Sequence, residues 1–238
     1  MSTTQMGTTA MTHVIKISGY EVDHADSLQT LISALSSIDD QVVLIHGGGS
    51  ILPRVLNAIG GTNHPAAAEI AAMALRGGIN PRLVAALTQH HLQAIGLCGS
   101  DLELMYLLPK SDEPIVRFEV LHYLLEQAWL PVLAPLAMES ATGAVKLLNA
   151  DTAAQMIASA LAADQLTYIV QTPGVYASGR RISGISGRQC ERYIKQGAFD
   201  ATYTSVVKAA SLAAPHVGRV RITDLNGFLD GVETVVVA

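Results

Sequence analysis

Val42-Val43-Leu44-Ile45-His46-Gly47-Gly48-Gly49-Ser50 runs from an uncharged apolar stretch straight into three consecutive glycines. An unbroken Val/Ile/Leu run suits a strand covered on both faces, the situation in a parallel sheet flanked by helices. Ile51 to Ile59, which follows, has the spacing of a short helix. Two readings of the glycines stand side by side. Their bare backbone can turn N–H groups toward an anion, with the positive end of the following helix aimed at the same spot. Alternatively, a tight strand-to-helix turn needs glycine only for its dihedral angles.

Working outward, His13 to Gly19 reads as a strand ending in a small-residue turn, with Lys16 just before that turn, and Ala25 to Ser37 carries apolar residues at helical spacing. Ala66 to Leu75 is helical, Gly77-Gly78 is expected to interrupt it, and Pro81 to His91 resumes with proline in the first turn. Gln93 to Gly99 is a strand, Val116 to Gln127 an amphipathic helix, and Leu130 to Leu136 a strand punctuated by prolines. Asn149-Ala150-Asp151-Thr152 supplies N-caps for a helix to Ala162. Leu166 to Gln171 is a buried strand, helices start at Ser186 and Ser205, and Val220 to Asp224 and Glu233 to Val237 close the sheet. This alternation predicts a three-layer α/β/α sandwich around a mainly parallel sheet. Met1 to Thr12 is expected to be a frayed tail, and residues 13–238 a single domain.

The net charge of -5 argues against nucleic acid as a main partner. No run approaches the ~20 uninterrupted apolar residues that span a bilayer. With 50% hydrophobic and 15% charged residues, some surface is expected to be covered in a homodimer or higher homo-oligomer. Cys98 and Cys190 fit no metal-ligand spacing and read as reduced thiols of a cytoplasmic protein, and the N-terminal stretch lacks the charge and apolar core of a signal peptide. No metal site is expected: His90-His91 has no acidic or cysteine partner at ligand spacing and reads as a helix-end cap. Trp129 reads as core, Arg180-Arg181 as a solvated hairpin tip, and His46 as a turn histidine satisfied by backbone.

Several glycine-bearing turns follow strands, and in open α/β sheets ligands collect outside the carboxyl ends of the strands. Near them lie Lys16, a compact cation able to bridge phosphates, and Asp151, an acid at a helix start. A glycine cradle, a lysine and an acid are the parts of a phosphoryl-transfer site, where catalysis is positioning and charge neutralisation.

With these pieces in place the sequence resembles the amino-acid kinases, and among them the acetylglutamate kinases and the related kinases of carrier-bound aminoadipate. The matching stretches are Val14 to Gly19, Leu44 to Gly49, Asn80 to Gly99, Leu130 to Pro135, Leu148 to Ala154, Thr172 to Val175 and Glu233 to Val236, in family order. The resemblance implies transfer of the γ-phosphoryl group of ATP, with Mg2+, to the carboxylate of an N-acyl amino acid or related small molecule. It implies a substrate-side lobe of about 13–150 and a nucleotide-side lobe of about 151–238. By the same resemblance Lys16 would contact the transferring phosphoryl, and Gly19, Gly47, Gly48 and Gly49 would donate backbone N–H bonds to it. Asp151 would orient the lysines, Asn149 would touch substrate, and Thr172, Pro173, Gly174 and Val175 would lie beside the nucleotide.

The sequence also departs from the family pattern. Ser18 stands where the family has a glycine, Leu147 where it has a substrate-binding asparagine, and Val170-Gln171 where it has a Thr/Ser-Asp pair. Gly60 to His64 holds no arginine to pair with a substrate carboxylate, which leaves Arg76 as the local candidate. Val206 aligns with the lysine that stabilises the leaving phosphate, and Lys208 can replace that lysine only through a shift of register. The alternative function is therefore a catalytically degenerate relative that binds a nucleotide or anion, regulates, or serves as a scaffold.

Overall fold

The computed structural model describes residues 10–111, 113–177 and 179–238, so residues 1–9 of the expected tail lie outside it. The chain opens with β1 (Thr12–Ile17), α1 (Gly19–Asp23), α2 (Ala25–Ser36) and β2 (Gln41–His46). Helices α3 (Ile51–Ala58), α4 (Ala67–Ala72) and α5 (Asn80–Gln89) lead to β3 (Ala94–Cys98). Then come β4 (Met105–Leu107), β5 (Pro114–Val116), α6 (Glu119–Glu126), β6 (Leu130–Ala134), β7 (Leu136–Glu139) and β8 (Val145–Leu147). The remainder runs through α7 (Ala150–Ala160), β9 (Gln165–Ile169), β10 (Val175–Ala177), β11 (Arg180–Ile182), β12 (Gly184–Ser186), α8 (Gly187–Lys195), α9 (Ala201–Ala213), β13 (Arg219–Thr223), α10 (Leu225–Asp230) and β14 (Thr234–Val237).

Among the described residues the central sheet has eight strands in the order β12-β14-β13-β9-β1-β2-β6-β3. Only the β13–β14 pair is antiparallel. Successive side chains of a strand point to opposite faces, and the apolar run of β2 feeds both. Val43 and Ile45 join Val14 in a core that includes Ile157 of α7 and Ala210 of α9. Val42 and Leu44 join Ile15 and Ile17 in a second core with Leu31 of α2 and Leu83 of α5. Helices thus cover both faces, giving the expected α/β/α sandwich. The same alternation puts Lys16, two residues after Val14, on the α7 side of the sheet.

Several local expectations need correction. Thr12, placed in the expected tail, opens β1, and the Met11 carbonyl accepts from Gln41 N at 2.8 Å. Gly77-Gly78 does not interrupt the helix. Residues Met73–Ile79 continue from α4 into α5 as a wider π-helical segment, where a Cβ on either glycine would meet nothing within 4 Å. The Leu130 to Leu136 strand divides at Pro135: β6 lies inside the central sheet and β7 joins the side sheet β5-β4-β7-β8. Helix α9 starts at Ala201 rather than Ser205, because Asp200 caps it by accepting from Tyr203 N at 2.8 Å. Trp129 is 39% exposed and is not core. His90 occupies the C-cap position of α5.

Candidate functional site

Lys16 is a buried residue one position before the end of β1, and Asp151 lies in the first turn of α7, whose N-cap Asn149 accepts from Asp151 N and Thr152 N at 2.8 and 3.1 Å. The Lys16 Nζ stands 2.6 Å from Asp151 Oδ1, with the two side chains only 9% and 8% exposed. An acid here also meets the positive end of α7. A pair so shielded from water repays its desolvation only when its other polar atoms are bonded. Asp151 Oδ2 accepts from the Ser205 hydroxyl at 2.7 Å, whereas the buried Oδ1 has no aligned hydrogen-bond donor among the described residues and faces the ammonium.

The two glycine turns, which follow β1 and β2 directly, press backbone against backbone. A Cβ on Gly19 would lie 2.6 Å from Gly49 Cα, and one on Gly47 would lie 3.4 Å from Gly19 N. Gly49, at φ 53°, meets the turn reading's need for a glycine dihedral, and the close approach of Gly19 and Gly47 adds a need for space. Helix α3 begins just beyond, and Ser50 N donates to Asp23 Oδ2 at 2.5 Å. The anion already met at this helix start is thus the chain's own Asp23 carboxylate. His46 is buried as the last residue of β2, and backbone, as expected, satisfies one ring nitrogen while the Asn80 side chain satisfies the other. Its Nδ1 donates to the Gly47 carbonyl at 3.0 Å and its Nε2 accepts from Asn80 Nδ2 at 3.1 Å. Burial lowers its pKa from 6.5 to about 4, so the ring is neutral.

Ser18, which replaces a family glycine, donates to Glu21 Oε2 at 2.5 Å and accepts from Tyr20 N at 3.2 Å as the cap of α1. Its hydroxyl therefore orders a buried acid. Burial pushes the Glu21 carboxyl above its ordinary range, and the Ser18 hydrogen bond opposes that rise.

A cavity of about 210 Å³ is lined by Lys16, Ser18, Val170, Gln171, Asp200, Tyr203 and Val206. Across it lies the turn after β9. The Thr172 hydroxyl donates to the Gly174 carbonyl at 2.8 Å and also contacts the Tyr203 phenol, and Val175 N donates to Thr234 Oγ1 at 2.8 Å. Gly174, at φ 126°, is the turning point, and Pro173 lies between it and Thr172. A neighbouring cavity of about 470 Å³ shares Val170 and Gln171 and includes Glu21 and Asp224.

The structure brings together Lys16, Asp151 and Asn149, with Thr172 reaching the Lys16 cavity through Tyr203; the glycine turns meet one another at the adjacent ends of β1 and β2 and are not among that cavity's lining. It does not bring in Arg76 or Lys208. Arg76 is 60% exposed on its side chain and pairs with Asp101 at 2.9 Å, pinning the turn after β3. Lys208 is exposed on α9 and lines a separate groove of about 540 Å³ with Glu113, Asn149 and Ser205. Two residues along a helix turn a side chain by about 200°, so Val206 and Lys208 cannot share a face. Val206 is the one in the Lys16 cavity. Sequence reasoning missed Ser205, Glu21 and Asp23, which are ordinary polar residues until folding puts them against Asp151, Ser18 and Ser50.

The sequence profile of the Amino acid kinase family matches residues 11–224. The chain belongs to the amino acid kinase family. An acetylglutamate kinase of Chloroflexus aurantiacus is 34% identical to it, over 92% of this chain and 94% of that one. An acetylglutamate kinase of Geobacillus stearothermophilus is 29% identical over 84% of each. The carbamate kinase of Giardia lamblia, solved with citric acid, shares the fold with a TM-score of 0.75 at 16% identity, covering 96% of this chain and 98% of that one. In this amino acid kinase the cation expected on α9 is replaced inside the cavity by the apolar Val206.

Proposed function

We propose that the protein transfers the γ-phosphoryl group of a nucleoside triphosphate to a small-molecule carboxylate of the N-acyl amino acid type, in the manner of an acetylglutamate kinase. The observation that carries this reading is the buried Lys16–Asp151 pair, 2.6 Å long, together with two interlocked glycine turns at the carboxyl ends of β1 and β2. In the reaction a carboxylate oxygen bonds to phosphorus as the bond from phosphorus to the bridging oxygen breaks, and the diphosphate leaves with the bonding electrons. Lys16 neutralises charge on the transferring group, and Asp151 holds the ammonium where that charge develops. Thr172 to Val175, beside Tyr203, flank the nucleotide side. No helix of the described residues is long and apolar enough to cross a membrane. On the proposed reading the protein acts in the cytoplasm as a homo-oligomer.

The described residues contain no group of three or more His, Cys, Asp or Glu able to hold a metal ion. On the proposed reading Mg2+ would arrive with the nucleotide phosphates. Bound there, it would neutralise phosphate charge. Asp200 is a carboxylate lining this cavity and would be the side chain to help hold such an ion.

A second reading, binding of nucleotide or anion without turnover, is favoured by Val206 lining the cavity. Removing one charge-stabilising donor from such a site costs about 100- to 1000-fold in rate. Calorimetric titration with ATP·Mg2+, followed by hydroxylamine trapping of acyl phosphate with N-acetylglutamate and a panel of small carboxylates, separates the two. Trapped hydroxamate supports the kinase. Nucleotide binding with no product across the panel supports the second reading, and absence of nucleotide binding sinks the kinase and leaves the second reading only its anion-binding form.

A further inference from the structure

We propose that Ser205 is a positioning residue for Lys16, acting through Asp151. The proposal rests on the reading of Lys16 as the ligand of the transferring phosphoryl group. Ser205 precedes Val206 on α9, and about 100° of helix rotation separates the two side chains. Val206 faces the Lys16 cavity, while Ser205 lies toward α7, at the wall between that cavity and the outer groove.

The direction of the Ser205 proton is fixed by its neighbours. Asn149 Oδ1 accepts from Asp151 N and Thr152 N, which settles the orientation of the amide and leaves Nδ2 as the donor facing α9. Nδ2 donates to Ser205 Oγ at 3.1 Å. The single hydroxyl proton is then free for Asp151 Oδ2, 2.7 Å away, rather than for Asn149 Oδ1 at 3.4 Å. A hydrogen bond to an ionised acceptor is stronger than a neutral one, so this contact holds the carboxylate. With Oδ2 held, Oδ1 points at the Lys16 ammonium, where no aligned hydrogen bond would otherwise fix the carboxylate rotamer. Asn149 thereby does two things: it caps α7, and it sets the donor that orients the acid in the first turn of that helix.

Ser205→Thr keeps the hydroxyl, and Ser205→Val has the same shape without it, so the pair isolates the hydrogen bond from bulk. Ser205→Ala repeats the loss without added volume. Two readouts are taken after melting curves confirm folding. One is kcat and KM for ATP and N-acetylglutamate. The other is the rate of trace acetylation of the Lys16 side chain by acetic anhydride, read by peptide mass spectrometry without turnover. In Ser205→Val and Ser205→Ala, kcat is expected to fall about 10- to 100-fold with KM for ATP within about twofold. Lys16 acetylation is expected to quicken about fivefold or more as the pair loosens, with Ser205→Thr within about twofold of the parent in both readouts. Equal acetylation of Lys16 in all four proteins overturns the proposal, as does a Thr variant that behaves like Val. Faster acetylation in Val and Ala alone, in a parent that makes no acyl phosphate, upholds the positioning role and overturns the kinase reading instead.

Discussion

Val206 and Lys208 stand two positions apart on α9, one in the Lys16 cavity and one exposed on an outer groove. If the missing cation limits the rate, Val206→Lys should raise kcat for acyl phosphate formation by about 10- to 1000-fold, measured by hydroxamate trapping under saturating ATP·Mg2+. An unchanged kcat would show that charge on α9 is not what the site lacks. Asp151→Asn removes the charge that faces Lys16 and leaves a buried ammonium unpaired. It should destabilise the fold by about 3–5 kcal/mol in urea unfolding. Lys16 and Asp151 were legible in the sequence because a lysine beside a glycine turn and an acid at a helix start fall within stretches that follow the family's order of motifs. Ser205, Glu21 and Asp23 were not, since each gains its role only from a partner distant in sequence or hidden by burial.

At the scale of elements, the interlocked turns after β1 and β2 hold the site in shape. Gly19→Ala would set a Cβ 2.6 Å from Gly49 Cα, a backbone atom with no rotamer to yield. The expected cost is about 1–3 kcal/mol, seen as a lower urea midpoint at unchanged slope. Gly77→Ala, which meets nothing within 4 Å in a helical segment, should instead be neutral or stabilising. The central strands were legible because two-sided burial demands continuous Val, Ile and Leu. The π-helical segment at Met73–Ile79 was not, because glycine pairs there signal a break by propensity, while packing of Leu75 and Ile79 in the core overrides it. The start of α9 was missed by four residues for a related reason: Asp200 is a cap only if the chain turns into a helix there.

Across the whole molecule, the sheet carries two buried histidines that resist protonation. His13 Nδ1 donates to Asp40 Oδ2 at 3.1 Å, and its Nε2 accepts from the Thr167 hydroxyl, whose oxygen accepts from Arg221 Nε at 2.7 Å. Burial first, and the Arg221 charge second, lower the His13 pKa from 6.5 to about 3, and burial lowers that of His46 to about 4. Both rings are neutral in the fold near pH 5 and charged in the unfolded chain, so unfolding takes up protons. Stability present at neutral pH is therefore lost as pH falls through 6.5 toward 4, with a slope near pH 5 of about 2–3 kcal/mol per pH unit from these two groups. Urea unfolding across this range should show it, and His13→Gln should reduce the proton uptake by about one. Glu21 and Asp40, whose carboxyls burial raises, act with the opposite sign closer to their own range. The family and its sandwich were legible from the order of motifs along the chain, whereas this polar chain joins β1, β9 and β13 and exists only once the sheet has assembled.

The central claim is that the cavity holding Lys16 and Asp151 moves a phosphoryl group onto a carboxylate. Its most direct test is a single-turnover measurement with enzyme in excess over γ-labelled ATP·Mg2+ and saturating N-acetylglutamate, comparing the parent with Lys16→Ala and scoring labelled acyl phosphate. The account predicts labelled acyl phosphate from the parent and at least about a 100-fold slower transfer from Lys16→Ala. Label that stays on ATP in the parent, or transfer that proceeds equally without Lys16, would contradict it.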